Sequence, residues 1–544
     1  MSLCLLVLLA LPGAVERLRV AVVQMAIAPA LEENRDRIVA GIGKGASAGA
    51  RVVVFPEGAL TDYSAKPNPA VGAAVAAIRQ AARTRKVYVL FGGWTWLERY
   101  GKAANWMKVI APDGGELLHY DKIWDVREAP NPPVFRLDGV PAGAIICADR
   151  WLRAVEELPV QQGAQLSFEL SNNYDSEWVP ELEWYWYVPR ALRNSIYVVF
   201  ANTANRSPGR PEPGAEARPR HGHSAIVAPD GTLLASAPDD LETVLIVDLD
   251  LRKATRAEAL ARRAHPVLGR FWQAGVNLLR GRFAAGPPLS ALESPEVELA
   301  VGVAQIPDGE LAPLESLLRR AAERRLDLVA LTASLSLPLA TELARRYGLA
   351  IVLRDADTLC VVGPDGAVLT RHRPLSAGGG NLSTMWFRLK GVPAVVSAGR
   401  DALWNEIAEL AAVAGARLHV NLSNEAVPDR AALVQRRQIG AAFSSFLTLT
   451  VMANPTHSAI WDDLDGREET RAEVRGLPRP EAGPVRIYSA FSANLAAEAG
   501  TGVELISVRR RLAGSNPYYP LRAAGLQPAM DPWYAFGARL LLQP

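Results

Sequence analysis

Three side chains in the first third of this 544-residue chain have types and positions that permit chemistry. Glu57 closes the apolar run VVVFPE, and a carboxylate at the carboxyl end of a buried strand loses water, rises in pKa and accepts a proton near neutral pH. The competing reading is a surface glutamate in a strand-to-helix turn. Lys122 ends LLHYDK, where an ammonium can stabilise negative charge developing on the oxygen of an attacked carbonyl; the competing reading is an ordinary exposed lysine, since lysine is mostly a surface residue. Cys147 ends the apolar strand GAIIC and opens a predicted helix, a position that lowers a thiol pKa and presents the sulfur. A buried structural cysteine is the alternative.

The elements that must position these groups alternate. LRVAVVQM at 18–25 reads as a strand, 34–50 as a helix and RVVVFPEG at 51–58 as a second strand. A helix over 70–86, a strand over 86–94 and two strands within 105–122 around a Pro-Asp-Gly-Gly turn follow. Beyond GAIICAD come a helix from about Trp151, the strand AQLSFELS, a helix near 179–195, the strand YVVFANTA and a hairpin at 229–231. Such alternation predicts an α/β layered sandwich.

The second half repeats the first. APDGGELL at 111–118 faces GPDGAVLT at 363–370, GVPA at 139–142 faces GVPA at 391–394, LSFELSNN at 166–173 faces LHVNLSNE at 418–425, and FANT at 200–203 faces MANP at 452–455. Each pair differs by 252 (363−111, 391−139, 418−166, 452−200), so the match runs without a gap. VAVVQM at 20–25 faces AVGVAQI at 300–306 with a larger offset. The expected division is a signal-like or frayed segment at 1–17, a catalytic domain at 18–282, a proline-rich linker at 283–296 and a second domain at 297–544. Covalent repeats can pair through the surface a homodimer would use, so an intramolecular pseudo-dimer is expected, with further homo-oligomerisation open.

Composition narrows the partners. Lys+Arg total 59 against 57 Asp+Glu, a net charge of +2 that offers no basic surface for nucleic acid. The cysteines Cys4, Cys147 and Cys360 are too few for a disulfide framework and read as free thiols. Residues 3–12 (LCLLVLLALP) are too short for a membrane span and lack a basic flank, which favours a cytoplasmic location over export through a signal-like segment.

FPEGALTDY, HYDKIW and GAIICADRW, in that order, resemble the signature segments of the nitrilase superfamily, the carbon–nitrogen hydrolases. SNN after the strand at 166–170, RALRNSIYVVFAN and GHSAIVAPDG match further, so the likeness covers about residues 18–275. It implies a four-layer α-β-β-α sandwich in two tandem copies, and a Glu-Lys-Cys triad of Glu57, Lys122 and Cys147 acting without metal or cofactor. The Cys147 thiolate would attack an amide or nitrile carbon, Lys122 and the Ala148 N–H would hold the oxyanion, and Glu57 would shuttle the proton. The family's second glutamate falls on Glu128, the only glutamate within 123–146. That segment is shorter than the family's. Asp149-Arg150-Trp151 resembles the cysteine segment of N-carbamoyl amino acid amidohydrolases, which implies that Arg150 binds a substrate carboxylate; an ion pair within the fold is the alternative. Tyr63, Asn173 and Trp178 are pocket candidates by their place in family segments. The substrate implied is a small linear amide or ureido (N-carbamoyl) compound, with a nitrile less favoured.

Adding 252 sets Pro374 opposite Lys122 and Gly399 opposite Cys147, and LVALTASLSL sets Ala333 opposite Glu57. The second half is therefore expected to be a degenerate, non-catalytic copy. Cys360 reads as a core residue opposite Met107. Three other readings remain: a Cys-His hydrolase using His221 or His223, an acyltransferase through the same thioester, and a non-catalytic scaffold.

Overall fold

The computed structural model of the chain describes residues 15–64, 66–126, 129–131, 133–151, 153–173, 187–204, 220–239, 241–307, 311–378, 381–399, 401, 404, 406–423, 449–462, 495–500, 502–512 and 530–543. Strand β1 (Arg17–Gln24) is buried on both faces from Val20 onward, as a continuous apolar run requires of a central strand. It pairs in parallel with β2 (Val52–Val54), which pairs in parallel with a later strand, β4 (Tyr88–Leu97). The crossovers are α1 (Leu31–Ser47) and α2 (Pro69–Arg85), and a short β3 (Leu60–Thr61) lies beside β4. β5 (Lys102–Ile110) and β6 (Glu116–Asp121) extend this sheet as an antiparallel meander.

A second sheet runs β12-β11-β10-β9-β8-β7, built from β7 (Phe135–Leu137), β8 (Val140–Ile146), β9 (Leu166–Leu170), β10 (Tyr197–Ala201), β11 (Ala225–Val227) and β12 (Leu233–Ser236). α3 (Arg153–Glu156), α4 (Leu158–Gln161) and α5 (Tyr187–Asn194) lie between its strands, and β13 (Thr243–Asp250) returns to the far side of β1. Side-chain alternation fixes the layers. Val20, Val22, Val52 and Val54 share one core with Phe168, Leu170 and Val199 of the second sheet. Ala21, Val23, Val53 and Phe55 face Ile38 and Ile42 of α1 and Ile78 of α2, while Val198, Phe200 and Ala225 face Tyr187 and Ala191 of α5. The order is helix, sheet, sheet, helix.

After α6 (Ala257–Ala264) and α7 (Leu268–Leu279) the architecture is built again. One sheet uses β14 (Val297–Gln305), β15 (Leu328–Ser334), β16 (Ala350–Asp355), β17 (Thr358–Val362) and β18 (Val368–His372), with α8 (Leu314–Glu323) and α9 (Leu337–Tyr347) on its outer face. The other uses β19 (Trp386–Leu389), β20 (Val392–Ala398), β21 (Leu418–Leu422), β22 (Leu449–Ala453), β23 (Ala459–Asp462) and β24 (Leu495–Glu498), with α10 (Glu406–Ala414) following β20. β25 (Glu504–Leu512) pairs with β14 as β13 pairs with β1, and the order β25-β14-β15-β16-β17-β18 matches β13-β1-β2-β4-β5-β6. The fold is thus α/β, a four-layer sandwich present in two tandem copies. Even details repeat: Gln24 Oε1 accepts from Ser224 N, and Gln305 Oε1 from Ser458 N.

Some expectations are corrected. β2 ends at Val54, and Glu57 lies in the turn beyond, since Pro56 has no N–H to continue the ladder and Gly58 takes φ +67°. In place of one helix from about Trp151, Cys147–Trp151 form a 3-10 turn, and α3 and α4 follow as single turns separated ahead of Pro159. Cys360 occupies the place of Lys108, not Met107: it pairs with Arg371 as Lys108 pairs with His119, and each pair differs by 252. It faces the outer helices and is 1% exposed.

The halves meet through α7, α10 and α11 (Asp531–Leu542). Phe271 stacks on Trp533 at 4.5 Å, and Gly275 and Gly537 admit this approach, for a Cβ on either would meet a ring at 2.5 Å. The stretch 283–296 holds no helix or strand but is pinned, with Leu292 N donating to Ala414 O at 2.7 Å and Arg539 Nη2 to Ala285 O at 2.9 Å. Among the described residues no helix is long and apolar enough to cross a membrane.

Candidate active site

Two sheet ends deliver the charged pair. The Glu57 turn rests on β4, where Gly92 N donates to Pro56 O at 3.2 Å. Gly92 has no alternative there, because a Cβ would stand 2.7 Å from Glu57 Cα and 2.9 Å from Pro56 O. Lys122 follows β6, its N–H bonded to Asn105 O at 2.9 Å. Lys122 Nζ then donates to Glu57 Oε1 at 2.7 Å, with 6% of each side chain exposed. Burial alone would pull the ammonium pKa down; the negative charges of Glu57, Cys147, Asp125 and Asp149 outweigh it and hold Lys122 well above the ordinary lysine range. A thiolate on Cys147 is therefore within electrostatic reach of the Lys122 ammonium.

Cys147 sits one residue past β8 with φ +45°, a left-handed conformation that a non-glycine residue holds only under constraint. Its Sγ donates to Asn173 Oδ1 at 3.2 Å, and Arg150 Nη2 approaches Sγ at 3.5 Å. Arg150 is 3% exposed and heavily engaged: Nε donates to Cys147 O at 2.9 Å, Nη1 to the Tyr187 hydroxyl at 3.1 Å, and Nη2 to Asn173 Oδ1 at 3.1 Å beside Glu169 Oε1 at 3.2 Å. The ion pair weighed as the alternative for Arg150 is present.

Asp149, named in the sequence only as a neighbour of Arg150, ties the lysine and cysteine segments together. Its Oδ1 accepts from Trp124 N at 2.9 Å and its Oδ2 from the Tyr120 hydroxyl at 2.6 Å. Complete burial lifts its pKa to about 7, against the lowering pull of Lys122, Tyr120 and the Trp124 N–H. Asp401 does the same in the second half, accepting from Ser376 N at 2.8 Å and Leu375 N at 2.9 Å. There Ala333, Pro374 and Gly399 hold the places of Glu57, Lys122 and Cys147. The space beside Gly399 is taken, since a Cβ would meet Ser423 Oγ at 3.0 Å. The brace survives where these three side chains are absent, which marks it as architecture.

Of the other expected residues, Ala148 is buried in the 3-10 turn beside Cys147 and Asn173 touches the sulfur. Tyr63 is half-buried, tilted against Trp94 at 6.0 Å. Glu128 and Trp178 lie outside the described residues. His221 is buried, 3.3 Å from Asn202 Nδ2, and its backbone N–H reaches Asn173 O at 3.4 Å. Burial, then the charges of His223 and Arg150, hold His221 well below the ordinary histidine range. Sequence reasoning missed Glu169, Tyr187 and Asn202, the last of which accepts from Asn173 N at 2.8 Å. A glutamate amid LSFEL was the available signal, because a charge in an apolar strand demands a partner.

The family model described as Carbon-nitrogen hydrolase matches residues 19–259. Omega-amidase NIT2 of Xenopus tropicalis is 29% identical over 261 residues, covering 43% of this chain and 89% of the relative. The Homo sapiens omega-amidase NIT2 is 28% identical over 262 residues, with 43% and 89% covered. Among solved structures, a cysteine-to-alanine mutant of the Nesterenkonia AN1 amidase from the nitrilase superfamily is 21% identical with a TM-score of 0.37, covering 45% of this chain and 95% of that one. Residues 19–259, 241 of the 544 (259−19+1), therefore match the carbon–nitrogen hydrolase family.

Proposed function

We propose that the first half is an amidase-type hydrolase that cleaves a small linear amide or N-carbamoyl compound through a thioester on Cys147. The observation that carries this reading is the buried Lys122–Glu57 pair, 2.7 Å across, within electrostatic reach of the Cys147 sulfur. Glu57 takes the thiol proton as Sγ attacks the carbonyl carbon, and Lys122 with the Ala148 N–H holds the oxygen as it becomes negative. Collapse of the tetrahedral adduct breaks the carbon–nitrogen bond, and Glu57 returns the proton to the departing amine. Glu57 next deprotonates a water that attacks the thioester, and the acid leaves as Sγ regains its proton. The relatives named as omega-amidases and amidases favour an amide over a nitrile.

The second half, without the three reactive groups, serves this reading as a scaffold joined to the first as an intramolecular pair. Arg150, held by Glu169, Asn173 and Tyr187, fits a positioning role better than a carboxylate fork.

The test is to incubate the purified chain with a panel of amides, ureido acids and nitriles and weigh the intact protein. An acyl adduct on Cys147 that is lost in Cys147→Ala names the substrate class. Absence of any adduct or turnover across the panel, with Cys147 and Cys360 alkylated equally slowly by iodoacetamide, returns the chain to a scaffold. A Cys-His hydrolase instead loses its turnover when His221 and His223 are both changed to alanine.

A further inference from the structure

Behind the nucleophile, buried charges of alternating sign run from the first half into the second. Arg150 pairs with Glu169 Oε1 at 3.2 Å, and Glu169 Oε2 with Arg190 at 2.7 Å. Arg190 Nε reaches Glu156 Oε1 at 2.8 Å; Glu156 also takes Arg193, whose Nε bonds Glu157 Oε1 at 2.6 Å. Glu157 Oε2 meets Arg262 Nη1 at 2.9 Å, and the same Nη1 lies 2.9 Å from Glu406 Oε1 on α10. None of these side chains is more than 9% exposed. Four guanidiniums (Arg150, Arg190, Arg193, Arg262) thus alternate with four carboxylates (Glu169, Glu156, Glu157, Glu406), and the last of these acids comes from the second half. Glu406 is not a copied feature, since 406−252 is Ala154.

We infer that Glu406 is a positioning residue for Cys147, through which the second half sets how closely the Arg150 guanidinium approaches the sulfur. The inference rests on the proposed role of Cys147. Water cannot compensate an unbalanced charge in this interior, so a change at one end is met by the next partner along. Without the Glu406 charge, Glu157 is drawn to Arg262, Arg193 leans on Glu156, Arg190 leans on Glu169, and Glu169 loosens from Arg150. Arg150 is then left to the thiolate, 3.5 Å from Nη2. Lys122 from the first sheet and Tyr187 from α5 also act on that sulfur, and His221 lies beside Arg150; Glu406 is accompanied by Arg262, the Trp272 indole N–H and, on its own helix, Glu409.

The experiment titrates iodoacetamide alkylation of Cys147 against pH in the full chain, reading each cysteine peptide by mass, for wild type, Glu406→Gln, Glu406→Asp and Leu410→Ala. Leu410, also on α10, lies in the apolar cluster that α10 shares with Phe271 and Trp272 of α7, its side chain and the Phe271 ring both against Gly537, so its truncation loosens that cluster without removing a charge. The alkylation midpoint is expected to fall by about one pH unit in Glu406→Gln, to lie between in Glu406→Asp, and to stay at the wild-type value in Leu410→Ala. A Glu406→Gln midpoint equal to wild type, or an equal shift in Leu410→Ala, overturns the inference. Should Glu406→Gln not fold, Glu406→Asp decides: a lowered midpoint supports it and a wild-type one overturns it. Wild-type Cys147 reacting no faster than Cys360 would bring down the proposed function and this inference together, whereas a fast Cys147 indifferent to position 406 brings down this inference alone.

Discussion

Lys122 Nζ and Glu57 Oε1 are 2.7 Å apart in a site that leaves 6% of either side chain in contact with solvent. Two charges taken so far from water depend on each other, and removing one partner strands the other. Glu57→Gln should cost about 3–5 kcal/mol of folding free energy by that argument. It should also cut turnover by about 10²–10⁴-fold through loss of the proton acceptor. Changing both together, Glu57→Leu with Lys122→Met, should restore much of the stability and none of the activity. Denaturation midpoints beside turnover rates check both halves of this statement; near-normal turnover in Glu57→Gln would shift the base to another residue such as His221.

Gly92→Ala tests how the Glu57 turn is supported. The added methyl meets backbone, 2.7 Å from Glu57 Cα and 2.8 Å from Gly58 N, so the turn has to move. Overpacking of this kind costs about 1–3 kcal/mol. The expected catalytic effect is larger, a loss of at least about tenfold in kcat with KM little changed, because the displaced carboxylate no longer meets the reacting groups. Gly72, with nothing within 4 Å of an added Cβ, is the control position, and Gly72→Ala should be silent in steady-state kinetics.

How much of this could be read from the chain follows from which forces are local. Apolar runs such as VAVVQ and GAII announce their strands because both faces are buried, and the shared 252-residue offset makes the second copy legible in the sequence itself. The candidates Glu57, Lys122 and Cys147 were picked out by the segments around them, in order, and the structure pairs the first two. The turn at Glu57 was not, since Pro56 and Gly58 act through backbone geometry that an apolar pattern does not record. Nor was the true setting of Arg150 visible: its partners Glu169 and Tyr187 are 19 and 37 residues away, and only the packing of β9 and α5 beside the cysteine turn unites them. The link from Glu157 through Arg262 to Glu406 spans both halves and has no sequence signature.

Arg150 separates two accounts of specificity. If its guanidinium braces the cysteine turn, as its bonds to Cys147 O, Asn173 Oδ1 and Tyr187 indicate, Arg150→Lys should depress kcat for neutral amides and for carboxylate-bearing ureido acids alike. A rise in KM confined to the carboxylate-bearing compounds would instead assign the fork to the substrate. Paired steady-state measurements on one simple amide and one ureido acid are sufficient.

Asp149 gives the protein a pH dependence whose sign is fixed by burial. Its folded pKa of about 7 lies above its ordinary 3.8, so the folded state holds a proton that the unfolded chain has released. Its contribution to stability is therefore complete below the ordinary carboxylate value and is lost as pH rises toward 7, at about 1.4 kcal/mol per unit. Asp149→Asn keeps the group neutral at every pH and should flatten that slope. Asp401, raised in the same direction by burial, is present in both proteins and cancels in the comparison. Urea midpoints at pH 5 and pH 8 should show wild type losing about 2–3 kcal/mol more than Asp149→Asn across the interval. A wild type that gains on the variant as pH rises would mean that Lys122 and the Trp124 N–H outweigh desolvation, and that Asp149 is ionised in the folded protein throughout.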